Sequence, residues 1–136
     1  MQYFDERGNL TGKENWLNGL QQDSSWYFYA HGNLEKRGLF RHGLYEGIWE
    51  FYHPNGQLKR RLLYKNGVPE GGWKAYNEKG VLIQKGQYQA GLEEGSWEFY
   101  HKEGWLEFSG QYKAGQRAGD WFQYNRKGKR KLIRID

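Results

Sequence analysis

The sequence predicts an all-β fold: an open, curved antiparallel meander, one sheet thick and elongated, built from about five 24-residue hairpin repeats. Three observations carry this. Gly8, Gly32, Gly56, Gly80, Gly104 and Gly128 form an unbroken series with a step of 24, and Gly19, Gly43, Gly67, Gly91 and Gly115 form a second. Leu10, Leu34, Leu58, Leu82 and Leu106 keep the same step, as do Trp16, Phe40, Tyr64, Tyr88 and Tyr112. Each pair of glycines brackets a short aromatic or alternating run, the pattern of strands joined by tight turns.

Within each unit the first strand is aromatic: Trp49 to Tyr52, Trp73 to Tyr76, Trp97 to Tyr100 and Trp121 to Tyr124. Rings favour the pleated, half-buried surface of a sheet. A turn follows that ends in glycine, as in Pro54-Asn55-Gly56 or Lys102-Glu103-Gly104. Glycine there supplies the positive φ of a hairpin turn. The second strand runs from Leu82 to Tyr88 and from Leu106 to Tyr112. A second turn (Asn66-Gly67, Ala90-Gly91, Ala114-Gly115) leads through Gly71, Gly95 or Gly119 to the next Trp. Strict alternation puts Leu106, Phe108, Gly110 and Tyr112 on one face and Glu107, Ser109 and Gln111 on the other. Gly38, Gly86 and Gly110 leave gaps on the apolar face, which neighbouring rings can cover. Two strands per unit advance the ribbon about 9.6 Å per repeat and give about eleven strands in all.

One domain is expected over 1–136. An irregular N-terminal capping repeat covers 1–25, regular repeats cover 26–124, and a basic capping strand covers 125–136. Trp26 stands one residue late against the 24-residue step, which implies either a bulge or a change of face. The composition suits a sheet of rings: aromatics make up 18% of the chain, with seven Trp and eleven Tyr. The chain has no Cys, which excludes disulfides and thiolate chemistry. It has neither an apolar leader nor an 18-residue apolar run, so a cytoplasmic location is the expectation. Residues 1–125 carry fifteen basic and fifteen acidic side chains. The whole net charge of +5 therefore lies in the last eleven positions, with Arg126 and Arg130 among them. A basic end of this kind guards an exposed edge strand or docks on an acidic partner. It argues only weakly for nucleic acid, because the repeats themselves are neutral.

The segment Gly86-Gln87-Tyr88-Gln89-Ala90-Gly91-Leu92-Glu93-Glu94-Gly95-Ser96-Trp97 resembles the MORN repeat. The fuller unit, with Trp-x-x-Tyr-x-x-x-Gly-x-Leu, is similar to the bacterial MORN-repeat variant typical of antitoxin and immunity proteins of the YwqK type. The resemblance covers nearly the whole chain and is strongest from Trp49 to Tyr124. It implies a MORN-like meander without catalytic residues or cofactors, whose role is to bind and neutralise a cognate toxin. It also admits a scaffold on acidic phospholipid, since MORN repeats are linked to such lipids.

The chemistry-bearing residues agree with a binding protein rather than an enzyme. His53 and His101 share one repeat position two units apart, about 19 Å in such a ribbon, too far to share a metal ion. Their neighbours His31 and His42 bring no carboxylate with them by spacing. Glu50 and Glu98 repeat on a solvated face and are expected to pair across strands. The feature that points to a partner is the stripe Trp49, Trp73, Trp97 and Trp121 with Phe51 and Phe99. A single layer buries its apolar face only partly, and exposed rings mark contact surfaces. These six residues, with Arg126 and Arg130, are the candidate partner contacts; the alternative is that the stripe is simply the core. An edge-strand dimer is left open.

Overall fold

A computed structural model describes residues 1–133. The strands are β1 (Gln2–Phe4), β2 (Leu10–Lys13), β3 (Trp16–Leu17), β4 (Leu20–Gln21), β5 (Asp23–Phe28), β6 (Leu34–Arg41), β7 (Leu44–Tyr52) and β8 (Leu58–Lys65). They continue as β9 (Val68–Tyr76), β10 (Leu82–Gln89), β11 (Leu92–Glu93), β12 (Gly95–Tyr100), β13 (Leu106–Lys113), β14 (Gln116–Tyr124) and β15 (Arg130–Ile133). One antiparallel sheet runs β1-β2-β5-β6-β7-β8-β9-β10-β12-β13-β14-β15, with β11 paired to β10 and a separate β3–β4 hairpin. Neighbours in sequence are neighbours in space and the path does not close, so the fold is the open meander that the repeats predict. The closing strand expected over 125–136 is seen as β15; Arg134, Ile135 and Asp136 lie outside the described residues.

The glycine-bearing turns have the geometry their sequences ask for. Asn66 and Gly67 have φ of 50° and 84°, and Ala90 and Gly91 have 51° and 85°. Two successive positive φ values make a type I′ turn, whose twist matches that of the flanking strands. Successive turns are tied to each other. The Gly67 amide donates to the Tyr45 carbonyl and the Gly91 amide to the Pro69 carbonyl, each at 2.9 Å. Glu46 accepts from the Asn66 amide, Glu70 from Ala90 and Glu94 from Ala114, at 2.7–2.9 Å. At the opposite ends of the strands, Asn55 Nδ2 donates to the Glu78 carbonyl at 2.7 Å and Asn77 Nδ2 to the Lys102 carbonyl at 3.1 Å. Each unit therefore braces the next at both ends as well as along its strands.

Three expectations need correction. Strands β7, β9 and β14 begin before the Trp, directly after the type I′ turn. Gly47, Gly71 and Gly119 do not end the turn: with positive φ they sit in bulges inside the strand. The pairing jumps from Leu62↔Trp73 to Leu63↔Glu70, leaving Gly71 and Gly72 opposite no residue of β8. A second bulge recurs every 24 residues, at Thr11, Glu35, Lys59, Ile83 and Glu107, where the paired partner strand skips one position. It breaks the pleat, so Glu107 lines the same cavity as Phe108 instead of pointing away. Finally, the first unit breaks at Glu14. Its second strand splits into β2 and β3, which takes β3–β4 off the main sheet and alters the expected eleven strands.

Trp26 is resolved as a change of face. Ser25 pairs with Gly38 as Trp97 pairs with Gly110, so Ser25 holds the Trp position and the register from Asp23 to Tyr27 is unbroken. Trp26 takes the position of Glu50 and Glu98 on the other face, 37% exposed.

Candidate functional site

One face of the sheet is a set of rows running across the strands. The central row reads Ser25, Gly38, Trp49, Leu62, Trp73, Gly86, Trp97, Gly110 and Trp121, one residue per strand. The sequence alternates rings with gaps because the rings lie across the gaps. A β-carbon on Gly38 would overlap the Trp49 indole, one on Gly86 the Trp97 indole, and one on Gly110 the Trp121 indole. Each indole therefore lies back over the glycine eleven residues earlier. Each Nε1–H then donates to the next carbonyl of that strand: Trp49 to Leu39 at 2.9 Å, Trp97 to Gln87 at 3.2 Å, Trp121 to Gln111 at 3.1 Å. Flanking rings hold the indoles edge-on, Tyr88 at 5.3 Å from Trp97 and Tyr112 at 5.2 Å from Trp121.

Trp49, Trp97 and Trp121 are thus 0, 3 and 2% exposed and form the core with Phe40 and Leu62. Their burial favours the alternative reading of the stripe as core, although Trp121 still borders a cavity. Phe51 and Phe99 are half-buried beside them, and the Arg60 guanidinium covers Phe51 at 4.3 Å. Arg126 is exposed and pairs with Glu103 at 3.1 Å. Arg130 lies over Phe122 at 4.2 Å and pairs with Tyr124, so it belongs to the opposite face and not to the Trp stripe.

Among the regular repeats the device fails at residue 62. Where Gly38, Gly86 and Gly110 stand in their units, residue 62 is Leu, itself only 3% exposed. Its side chain fills the space in which the Trp73 indole would lie. Trp73 turns the other way and donates from Nε1 to the side-chain oxygen of Gln84, on β10, at 3.1 Å. It remains half-buried. The adjacent row reads Phe51, Arg60, Ala75, Gln84, Phe99 and Phe108, and in it Ala75 replaces the ring that Phe51 and Phe99 supply. A displaced indole and a missing phenyl sit two residues apart on one strand and one face. Together they open the sheet surface.

Two adjoining cavities of about 780 and 540 Å³ result, sharing Asn77, Ile83, Gln84 and Lys102. Trp73 and Ala75 belong to the first; Phe99, Phe108 and Trp121 to the second. Volumes of this size are those of binding sites. Lys59, Arg60, Lys79 and Lys102 stand around the first, with Glu78 and Glu103. Ile83, Lys59 and Glu107 reach the groove because they are the bulged residues of their strands. Of the eight residues predicted to meet a partner, Trp73, Phe99 and Trp121 line this groove, and Arg126 approaches it through Glu103. Leu62, Ala75 and Ile83 were not predicted. The signal for the first two lay in the sequence, as departures from their repeat positions.

The MORN repeat variant matches residues 45–66, 69–90 and 93–114. The chain belongs to the MORN repeat variant family. No curated protein matches it. MORN repeats generally serve as protein- or lipid-binding modules, and most of the groove's lining lies in the three matched repeats, with Arg117, Trp121 and Ile133 beyond them. Among the described residues, no group of three His, Asp or Glu side chains converges as a metal site. The histidines serve turns: His31 Nε2 lies 2.8 Å from the Pro54 carbonyl, His53 Nε2 2.8 Å from that of Tyr76, and His101 stacks on Trp105.

The opposite face of this MORN protein carries a charged row between exposed apolar residues such as Ile48 and Leu63. Glu50 sits between Arg37 at 2.9 Å and Arg61 at 3.5 Å. The row then continues Arg61, Lys74, Lys85 before it reaches Glu98. Three cations thus stand directly opposite one another on adjacent strands, an arrangement that costs stability unless an anion meets it.

The N-terminal unit closes differently. Glu14 stands in the glycine position and Ser25 in the Trp position, so the small and large partners are exchanged. The Glu14 carboxylate is buried and accepts from the Tyr27 hydroxyl and from Trp16 Nε1 at 3.1 Å. Burial pushes the Glu14 carboxyl up, but the hydrogen bonds from Tyr27, Tyr3 and Trp16 outweigh it and hold it below the ordinary glutamate value of 4.5.

Proposed function

We propose that this chain is a non-catalytic protein-binding module of the cytoplasm, and that its partner is a cognate toxin which it neutralises by covering it. The observation that carries the binding reading is the groove around Trp73 and Ala75. There, among the regular repeats, the unit gives up its own packing, and that loss leaves an apolar floor within a charged rim. Hot spots of protein interfaces have this character, a ring in a pocket surrounded by polar residues. The toxin is suggested by the resemblance of the repeats to the antitoxin and immunity branch of the family, and occlusion needs no reacting group. Co-expression with the product of the neighbouring gene is the test. The expected result is a stable complex and rescue of growth from that product's toxicity; a wild-type chain that neither binds nor protects overturns the toxin reading.

A second reading has its own observation. Lys74 and Lys85, side by side and in no ion pair among the described residues, present positive charge of the kind that an anionic phospholipid surface attracts, at about 1 kcal/mol per basic residue near the membrane. Sedimentation with phosphatidylserine vesicles at low and moderate salt tests it. Binding lost in the Lys74→Glu/Lys85→Glu variant supports it, and no sedimentation of the wild type removes it.

A further inference from the structure

We infer that the groove receives one aromatic side chain from an acidic, extended segment of the partner, seated on Ala75 where the phenyl row is interrupted. This rests on the reading of the Trp face as a protein-binding surface and says what that surface recognises.

Shape comes first. Row order across the sheet is Phe51, Arg60, Ala75, Gln84, Phe99. In the units that keep it, the phenyl packs on the Trp two residues before it, Phe51 at 6.3 Å from Trp49 and Phe99 at 6.0 Å from Trp97. Trp73 has no such partner, because residue 75 ends at its β-carbon. A ring placed over Ala75 takes up the missing Trp–Phe contact. It also meets Ile83, the apolar member of a bulge position that elsewhere holds Thr11, Glu35, Lys59 and Glu107. Trp73 is already turned toward that space by Leu62 and held there by Gln84, so the wall is formed before any ligand arrives. Pre-formed pockets of this kind lose little freedom on binding.

Charge supplies the second part. Lys59, Arg60, Lys79 and Lys102 line the cavity, and among the described residues none of them is in an ion pair. Of the two acids in the lining, Glu103 is engaged by Arg126 at 3.1 Å, which leaves Glu78 against four cations. Carboxylates on either side of the inserted ring would meet this surplus. From Arg60 on β8 to Phe108 on β13 the groove crosses five strands, or about 19 Å of the sheet, and Trp121 and Ile133 continue its wall on β14 and β15. An extended segment of about six residues covers that length at roughly 3.3 Å per residue.

The test uses the whole chain with ¹⁵N-labelled tryptophan and two peptides, acetyl-Asp-Glu-Phe-Glu-Asp-amide and the same peptide with Ala for Phe. The seven indole resonances report on all seven Trp at once. The Phe peptide should shift the Trp73 indole saturably and leave that of Trp49, which lies outside the groove, in place. The Ala peptide should bind about tenfold more weakly or worse, the worth of burying one large apolar side chain. Replacing the flanking acids by Lys should abolish the shift. Ala75→Phe, which restores the row from within, should also abolish it. Leu62→Gly frees the back seat for Trp73 and should weaken binding several-fold, so it decides the matter if Ala75→Phe does not fold. A Trp73 indole that the Phe peptide leaves unmoved, equal binding of the Ala or Lys-flanked peptides, or a folded Ala75→Phe that binds as wild type would each overturn the proposal. The peptide titration judges the inserted ring alone. The co-expression experiment judges the partner reading, so the two fail separately.

Discussion

Gly86→Ala probes the packing on which the whole sheet depends. The substitution adds one methyl group, and on an exposed strand it would change stability little. Here the new β-carbon would lie inside the Trp97 indole, and the indole is held on both flanks by Tyr88 and Tyr112, at 5.3 and 5.6 Å. The ring must leave its seat, as Trp73 does where Leu62 occupies the same repeat position. It then gives up the hydrogen bond from Nε1 to the Gln87 carbonyl, worth about 1 kcal/mol. About half of its buried area, on the order of 100 Å², returns to water at roughly 25 cal/mol per Å², or about 2.5 kcal/mol. The expected cost is therefore about 3–4 kcal/mol. In urea that lowers the unfolding midpoint by on the order of 1–2 M, and the native tryptophan emission shifts to the red. Gly72→Ala is the control: an added β-carbon there meets nothing within 4 Å and the backbone φ is not positive. It should change stability by less than about 0.5 kcal/mol. If Gly86→Ala left midpoint and emission at their wild-type values, the Trp-over-Gly account of the core would be wrong.

Other substitutions read the same architecture from different sides. Trp97→Ala, at 3% exposure, should cost roughly 3–5 kcal/mol, whereas Trp73→Ala, whose ring is already turned out, should cost about half of that or less in the same denaturation assay. Ala90→Asn places at φ 51° a residue that tolerates the left-handed region, and should stabilise the type I′ turn by about 0.5–1 kcal/mol, seen as a raised Tm. Glu14 sits below its ordinary 4.5 because Tyr27, Tyr3 and Trp16 donate to the charged form despite burial. The unfolded chain thus binds its proton more readily, so the contribution of Glu14 is full above that value and is lost as pH falls through the lower folded value. Glu14→Gln should flatten the acid limb of a stability–pH profile; an unchanged limb refutes the assignment.

The period, both turns of every unit, the strand order of the regular repeats and, among the described residues, the absence of helix were legible in the sequence because each is local. A type I′ turn needs only its own two residues, and a 24-residue step forces each hairpin to pair with the next. The exchange of Trp26 to the far face was legible as an alternative and was decided by the unbroken Ser25↔Gly38 register. Arg130 was read from charge alone, and charge does not say which face a strand-end residue takes. The bulges at Ile83 and Glu107 were hidden for a related reason: a strand's own sequence does not reveal that its partner skips a position.

The tertiary structure alone decided which aromatic rings are core and which can meet a partner. Four Trp at a 24-residue step announce a stripe, but whether an indole is sealed or displaced depends on a residue eleven positions earlier on the neighbouring strand. Gly86 admits Trp97, and Leu62 turns Trp73 away. By itself the sequence determined a strip of hairpins with rings at regular intervals. Steric fit between strands determined that the strip is closed along most of that row and open at Trp73 and Ala75, because packing is settled by volumes that meet in space and not by the order of residues along one chain.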